Sequence, residues 1–386
     1  MFCTLGLFLI PLTWTLVSYH IELHLKKRWT YPNSGTAIRA DGCHKGNRRK
    51  GRAMHKTLAI ISLAWAGLCA TTAMAQPAAA PAGTPPAAGA EAPRRFTPPP
   101  LEYGWSPKRT PFKAYAEPNR PIWRLADILA AHKGQANWTQ AIVRGGDLEA
   151  DWHQMAPGKS TETVKYADNR TGLIVWGGQV KVSIDGQEPF VATKGVEIDV
   201  PFRRTFTLES TGSEPALWLE VHGIGDLPIY PLDTHPAKPA DVKGFAYEKR
   251  VLQGGKGKWD EVNKPSLDYF KDVVGGTTRA GAFVASDHMF INNIRGKGAP
   301  LPPPTNLGHF HFGYDEFWFI MEGTVDYQIE GVPVFSSHPG DVVLALQGHW
   351  HRASFGGEPG SMSTRVAINP YPNGLHNYTM ESAGKQ

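Results

Sequence analysis

The chain has 386 residues, 41% of them hydrophobic and 11% aromatic, which supplies apolar material for two ordinary domains and excludes a disordered or fibrous protein. Its formal charge of +5 is a property of the N-terminus: residues 1–53 carry nine Lys or Arg against Glu22 and Asp41, whereas from Gln76 onward 30 basic residues face 33 acidic ones. A slightly acidic body gives no case for nucleic acid as a partner.

In chain order, residues 2–17 are apolar but short and interrupted by Pro11, a poor membrane span, and residues 28–52 have no hydrophobic periodicity. The pattern changes at Met54. His55 and Lys56 form a short positive start, residues 58–68 an apolar core, and Ala73-Met74-Ala75 a small-residue cleavage pattern, together a secretory signal. The expected organisation is a mis-assigned extension at 1–53, a signal peptide at 54–75 and an exposed Ala/Pro-rich leader at 76–118. Translation would start at Met54 and the mature chain at Gln76, in the periplasm or outside the cell. The rival reading of the extension is a signal anchor, or a twin-arginine leader around Arg48-Arg49. Cys3, Cys43 and Cys69 all precede the cleavage pattern, so the mature chain would have no thiol for a disulfide or a Cys-ligated metal. After cleavage no membrane association is expected.

An internal repeat organises the remainder. Gly323, Gly331 and Gly340 follow Gly178, Gly186 and Gly195 at a constant offset of 145, with no insertion. Around them lie β-branched and aromatic runs: Leu173-Ile174-Val175-Trp176 and Val180-Lys181-Val182-Ser183-Ile184 before Asp185-Gly186 in the first copy, Phe317-Trp318-Phe319-Ile320-Met321 and Val325-Asp326-Tyr327-Gln328-Ile329 before Glu330-Gly331 in the second. Short strands joined by such turns predict an antiparallel sandwich or barrel. Each copy is preceded by a predicted helix, at residues 123–132 and 266–274. The fold class is therefore all-β, two tandem barrels with short helical lead-ins, divided as 119–235 and 236–386.

The chemistry is concentrated in the second copy. His309 and His311 fall on the same side of a strand, with Phe310 on the other; Glu316 follows at the next turn, and His351 arrives one strand pair later. Three imidazoles and a carboxylate suit one divalent transition metal, Fe, Mn, Cu, Zn or Ni, and an octahedral ion would keep two positions for substrate or oxygen. Strand parity from His351 also turns His349 and Ala353 inward, and Trp318 shares the side of Glu316. Tyr314, Arg352, Arg365 and Asn369 are further pocket candidates, an Arg at the mouth being suited to a substrate carboxylate.

Residues 308–355 resemble the cupin superfamily. The first motif of that family is matched by His309-x-His311, four residues, Glu316, six residues, Gly323; the second by Gly340, five residues, Leu346-x-Gly348, two residues, His351, with Leu346 where the motif has proline. The motif's leading Gly would fall at Pro303 and its trailing Asn at Phe355, which leaves the ligands intact and makes the pocket more apolar. The resemblance implies two double-stranded β-helix (jelly-roll) barrels in tandem, a bicupin, with one metal on His309, His311, Glu316 and His351. It does not fix the reaction, because the superfamily includes dioxygenases, decarboxylases, isomerases, lyases and binding proteins. At the 145-residue offset those four ligands become Val164, Tyr166, Thr171 and Phe206, so the first barrel is expected to be degenerate and metal-free, a packing partner or an accessory binding surface.

Phe310, Phe312, Tyr314, Phe317 and Trp318 near the motif favour an aromatic or medium-sized organic substrate. The expected function is an exported metal-dependent oxidoreductase, dioxygenase-like, acting on a small or medium-sized organic molecule. The alternatives are a non-oxidative lyase, decarboxylase or isomerase, and a periplasmic metal- or carbohydrate-binding protein without turnover. Homo-oligomerisation is compatible with each of these readings.

Overall fold

A computed structural model describes residues 104–241, 243–298, 307–372, 374 and 376–378. The expected extension, the signal peptide, the cleavage site and Pro303 lie outside the described residues. Two matched jelly rolls follow from the repeat. In each, one strand pattern is one-sided: Val180–Ile184 buries Val180, Val182 and Ile184 and turns Lys181 and Ser183 outward, and Val325–Ile329 does the same with Val325, Tyr327 and Ile329. The preceding strands, Thr171–Gly177 and Glu316–Glu322, are buried on both faces through their first six residues. One face lines a barrel and the other meets the second barrel.

The first barrel is a six-stranded antiparallel sheet in the order Ser266–Asp268, Val196–Val200, Thr171–Gly177, Ala216–Gly223, Leu148–Met155, Trp138–Arg144, faced by a three-stranded sheet of Phe190–Ala192, Val180–Ile184 and Phe206–Ser210. The second repeats this order with Ile122–Trp123, Val342–Ala345, Glu316–Glu322, Met362–Asn369, Met289–Lys297 and Ala282–Ser286, faced by Phe335–Ser337, Val325–Ile329 and His351–Phe355. The edge strands are exchanged. Ile122–Trp123, ahead of the first barrel, pairs with Val342 and Val343 of the second, while Ser266–Asp268, ahead of the second, pairs with Val196, Glu197 and Ile198 of the first. A cut between residues 235 and 236 therefore leaves each half holding a strand of the other.

Of the expected lead-in helices, the first is an α-helix at Leu125–Ala131. Its N-cap, Arg124, supplies no side-chain cap; Asp341 of the second barrel does so instead, accepting from Leu125 N at 3.1 Å and Arg124 Nη1 at 3.0 Å. The second lead-in differs from the expectation. Residues 266–268 are the exchanged edge strand, because the backbone groups of Val196–Ile198 offer a ladder there, and only Tyr269–Val274 is helical, as one π turn.

The large apolar core lies between the barrels, where Trp152, Leu219 and Val221 meet Phe317, Phe319, Val366 and Ile368. Each such side chain contributes about 1.5–3 kcal/mol by burial. Each barrel also has its own smaller interior, around Val182, Ile198 and Leu208 in the first and Trp318, Tyr327 and Val343 in the second. The repeat glycines match in conformation as well as position: Gly178 and Gly323 have φ of 67° and 70°. A Cβ at either would strike the backbone of the strand that closes its barrel, at the Pro215 and Met362 carbonyls.

Candidate metal centre

The strand ladders bring the second-copy ligands together. His309 and His351 form an isolated antiparallel bridge, exchanging backbone hydrogen bonds at 2.9 and 2.8 Å, and Glu316 opens the strand that pairs with Ala345. The ligating atoms of His309, His311, Glu316 and His351 all lie within 4.8 Å of one another. Glu316 Oε2 is 2.8 Å from His311 Nε2 and 3.3 Å from His351 Nε2, and Asn369 donates to Oε1 at 3.3 Å.

Charge and orientation in the cluster fit a cation. His351 Nδ1 lies 3.0 Å from the His349 carbonyl, which assigns the proton to that nitrogen, and among the described residues the buried Nε2 has no hydrogen-bond partner, Glu316 Oε2 standing 3.3 Å from it. Burial would raise the Glu316 pKa, but the hydrogen bond with His311 and the His311 and His351 imidazoles beside it outweigh burial and hold the carboxyl well below its usual range. Burial, reinforced by His351 and His376, lowers His309 to about 2, and burial likewise lowers His351 against the pull of Glu316. Imidazoles beside an ionised carboxylate, with one buried lone pair unmatched among the described residues, form a donor set for a divalent transition metal.

The other candidates divide. Trp318 lies edge-on to His351 at 5.1 Å and beside Tyr327 at 5.2 Å, with the Arg365 guanidinium 5.8 Å from its ring, so it backs the ligands from inside the barrel. Tyr314 stacks on His311 at 4.4 Å and lines an open cleft of about 620 Å³ with Trp105, Phe312, Tyr371, Pro372 and Asn377. Burial raises its phenol pKa. His349 is a correction: its nitrogens face the Glu330 and Lys113 carbonyls at 3.0 and 2.7 Å and its ring packs on Phe112 and Tyr115, away from the ligands. The parity count fails because the strand begins only at His351, so alternation does not extend back to residue 349. Arg352 is on the opposite strand face to His351, donating to Gln328 Oε1 at 2.8 Å and covering Trp350. Ala353 is inward as expected, in the barrel interior.

Two neighbours of the cluster escaped the sequence reading. His376 stacks on His309 with centroids 3.9 Å apart, and Tyr378 stands edge-on to it at 6.0 Å. A signal was present: Leu227-Pro228-Ile229-Tyr230 and Leu375-His376-Asn377-Tyr378 match at an offset of 148 (375 − 227), three more than that of the glycines.

In the first barrel Val164 and Phe206 form the same isolated bridge as His309 and His351, and Thr171 pairs with Val200 as Glu316 does with Ala345. Tyr166 occupies the His311 position. A different polar group, Glu149, Asp151 and His222, gathers nearby. Arg144 serves it as an internal cation, 2.8 Å from Asp151 Oδ1 and 3.5 Å from Glu149 Oε2, while His222 Nε2 is 3.3 Å from Glu149 Oε1 and stacks on Tyr166 at 4.5 Å. Burial raises the Glu149 pKa despite His222 and Arg144.

No family model and no curated protein matches the sequence. Among solved structures the fold is similar to oxalate decarboxylase from Bacillus subtilis (TM-score 0.43, 11% identity, 68% of this chain and 79% of that one). It is also similar to a cupin 2 conserved barrel domain protein from Leptotrichia buccalis (0.41, 12%, 64% and 95%) and to salicylate 1,2-dioxygenase from Pseudaminobacter salicylatoxidans (0.46, 10%, 64% and 82%). The duplicated strand order and the matched bridges make the chain two jelly-roll barrels in tandem, with the motif residues brought together as a His/Glu set in the second barrel and none at the same positions in the first.

Proposed function

We propose that the second barrel holds one divalent transition metal on His309, His311, Glu316 and His351 and acts there on a small or medium-sized organic molecule as a dioxygenase-like oxidoreductase. The observation that carries the reading is the convergence of the four donors, with the buried His351 Nε2 unmatched by any donor among the described residues. When bound, the metal would supply Lewis acidity and open coordination for substrate or oxygen. The protein's part is positional. Asn369 fixes Glu316 by its second oxygen, the His349 carbonyl sets the His351 tautomer, and Trp318 with Tyr327 closes the inner side of the cluster with apolar surface. Tyr314, in contact with both His311 and the cleft, is the surface a planar or aromatic substrate would meet on approach.

The signal-like segment at 54–75 supports an exported protein that acquires its metal outside the cytoplasm. Elemental analysis with oxygen-uptake assays on phenols, dicarboxylates and sugar acids tests the activity. One metal per chain and substrate-dependent oxygen consumption are expected. Turnover without oxygen consumption would replace the oxidative reading by a lyase, decarboxylase or isomerase, and tight binding without turnover would make the barrel a receptor.

A further inference from the structure

The C-terminal segment brings a fourth histidine to the ligand cluster. Phe310 and Asn377 exchange both backbone hydrogen bonds at 3.0 Å, so residues 376–378 run beside the chain that carries His309 and His311. This bridge lays the exposed His376 ring face to face with His309, centroids 3.9 Å apart and planes 17° from parallel, and 5.2 Å from the His311 ring. A ligating imidazole needs the ion in its own plane. Two parallel stacked rings cannot both satisfy that for one ion, so His376 stands beside the donor set instead of within it.

The duplication supplies the control. The counterpart bridge in the first barrel joins Lys165 to Ile229, which aligns Pro228-Ile229-Tyr230 with His376-Asn377-Tyr378. The tyrosine and the backbone pairing are common to both barrels; the histidine is not. Where the second barrel has His309, His311, Glu316 and His351, the first has Val164, Tyr166, Thr171 and Phe206, and where the second has His376 the first has Pro228, with no N–H to offer. A histidine that only completed the strand would have no reason to accompany the ligand set.

Resting on the metal centre proposed above, we infer that His376 is a specificity residue: from its exposed place beside His309 its ring N–H hydrogen-bonds a small oxyanion, a carboxylate or phenolate, bound at the metal. Three neutral imidazoles and one carboxylate leave a divalent ion with net positive charge, which favours an anionic ligand there. The stack on His309 holds the donor ring in place.

The test uses the cobalt(II)-loaded chain titrated with acetate, read from the cobalt absorption bands, for the parent, His376→Phe and His376→Gln. Phe keeps a ring to stack on His309 and removes the donor; Gln restores a donor without the ring. All three should hold one cobalt per chain with similar affinity. Acetate should bind about tenfold more weakly to the Phe variant and recover to within about threefold of the parent in the Gln variant, the size of one hydrogen bond to a charged acceptor. Unchanged acetate affinity in the Phe variant would overturn the inference, and loss of cobalt from it would make His376 a ligand. A parent chain that takes up no cobalt would instead remove the metal centre itself, and the inference with it.

Discussion

The same place in the repeat is used in opposite ways by the two barrels. Phe206 and His351 sit in equivalent bridges, one to Val164 and one to His309, yet the first is a buried wedge in an apolar interior and the second a buried base with an unmatched lone pair. The first barrel does keep polar groups, but on other strands: Glu149 and Asp151 come from Leu148–Met155 and His222 from Ala216–Gly223, and Arg144 meets their charge from within. His222 even occupies the place of Asn369, since Val221 pairs with Gly172 as Ile368 pairs with Phe317. One fold can thus satisfy buried carboxylates with its own cation or leave the place to a metal.

The sharpest way to break the comparison is to truncate both residues of the matched pair. His351→Ala should lower metal affinity by more than about 100-fold, above what a supporting contact is worth, with the far-UV circular dichroism of the parent. If that variant still carries one metal per chain, the ion is held by Glu149, Asp151 and His222, and the roles of the barrels are reversed. Phe206→Ala should do the converse. It should keep the metal and cost about 3–5 kcal/mol of stability, a fall in Tm of roughly 10 °C, and loss of metal from it would show that the barrels are not independent in this respect.

A smaller effect is expected where the barrels touch. Asn293 Nδ2 donates to Glu197 Oε2 at 2.8 Å across the interface, and burial raises Glu197 to about 8. The raised pKa means that the neutral acid is the form the fold tolerates. Its contribution to stability is complete below the ordinary carboxyl range and is lost as pH rises through about 8. Glu197→Gln should therefore match the parent at pH near 5 and exceed its Tm by a few degrees above pH 8, and parallel melting curves across that range would show that Glu197 does not drive the loss. Smallest of all, Arg352→Ala should leave metal content and turnover within about twofold of the parent, because its side chain lies on the far face of the ligand strand; a larger loss of turnover would place substrate on that face.

The metal motif and the duplication were legible because both are local patterns repeated at fixed spacing, and the three glycine pairs kept positive φ in each copy. His349 was misread because alternation was counted back beyond His351, the first residue of its strand, where it has no meaning. The exchanged strands could not be read at all: Ile122 and Trp123 are two residues whose partners lie more than two hundred positions away, and no short-range pattern records such a pairing. The same holds for His376, whose position depends on one bridge to Phe310, although its alignment with Pro228 was available to a longer comparison of the copies.

The exchanged edges also set an order of events during synthesis. Ile122 and Trp123 leave the ribosome before any of the first barrel's sheet, but their partners Val342 and Val343 follow about 220 residues later, roughly 10–45 s at ordinary elongation rates. The first barrel, for its part, lacks the strand that covers Val196–Val200 until Ser266–Asp268 has been made. During that interval two sheet edges are open to any chain that offers a strand, including a neighbouring nascent copy. Neither barrel can therefore close its sheet until the strand supplied by the other half of the chain is available to it.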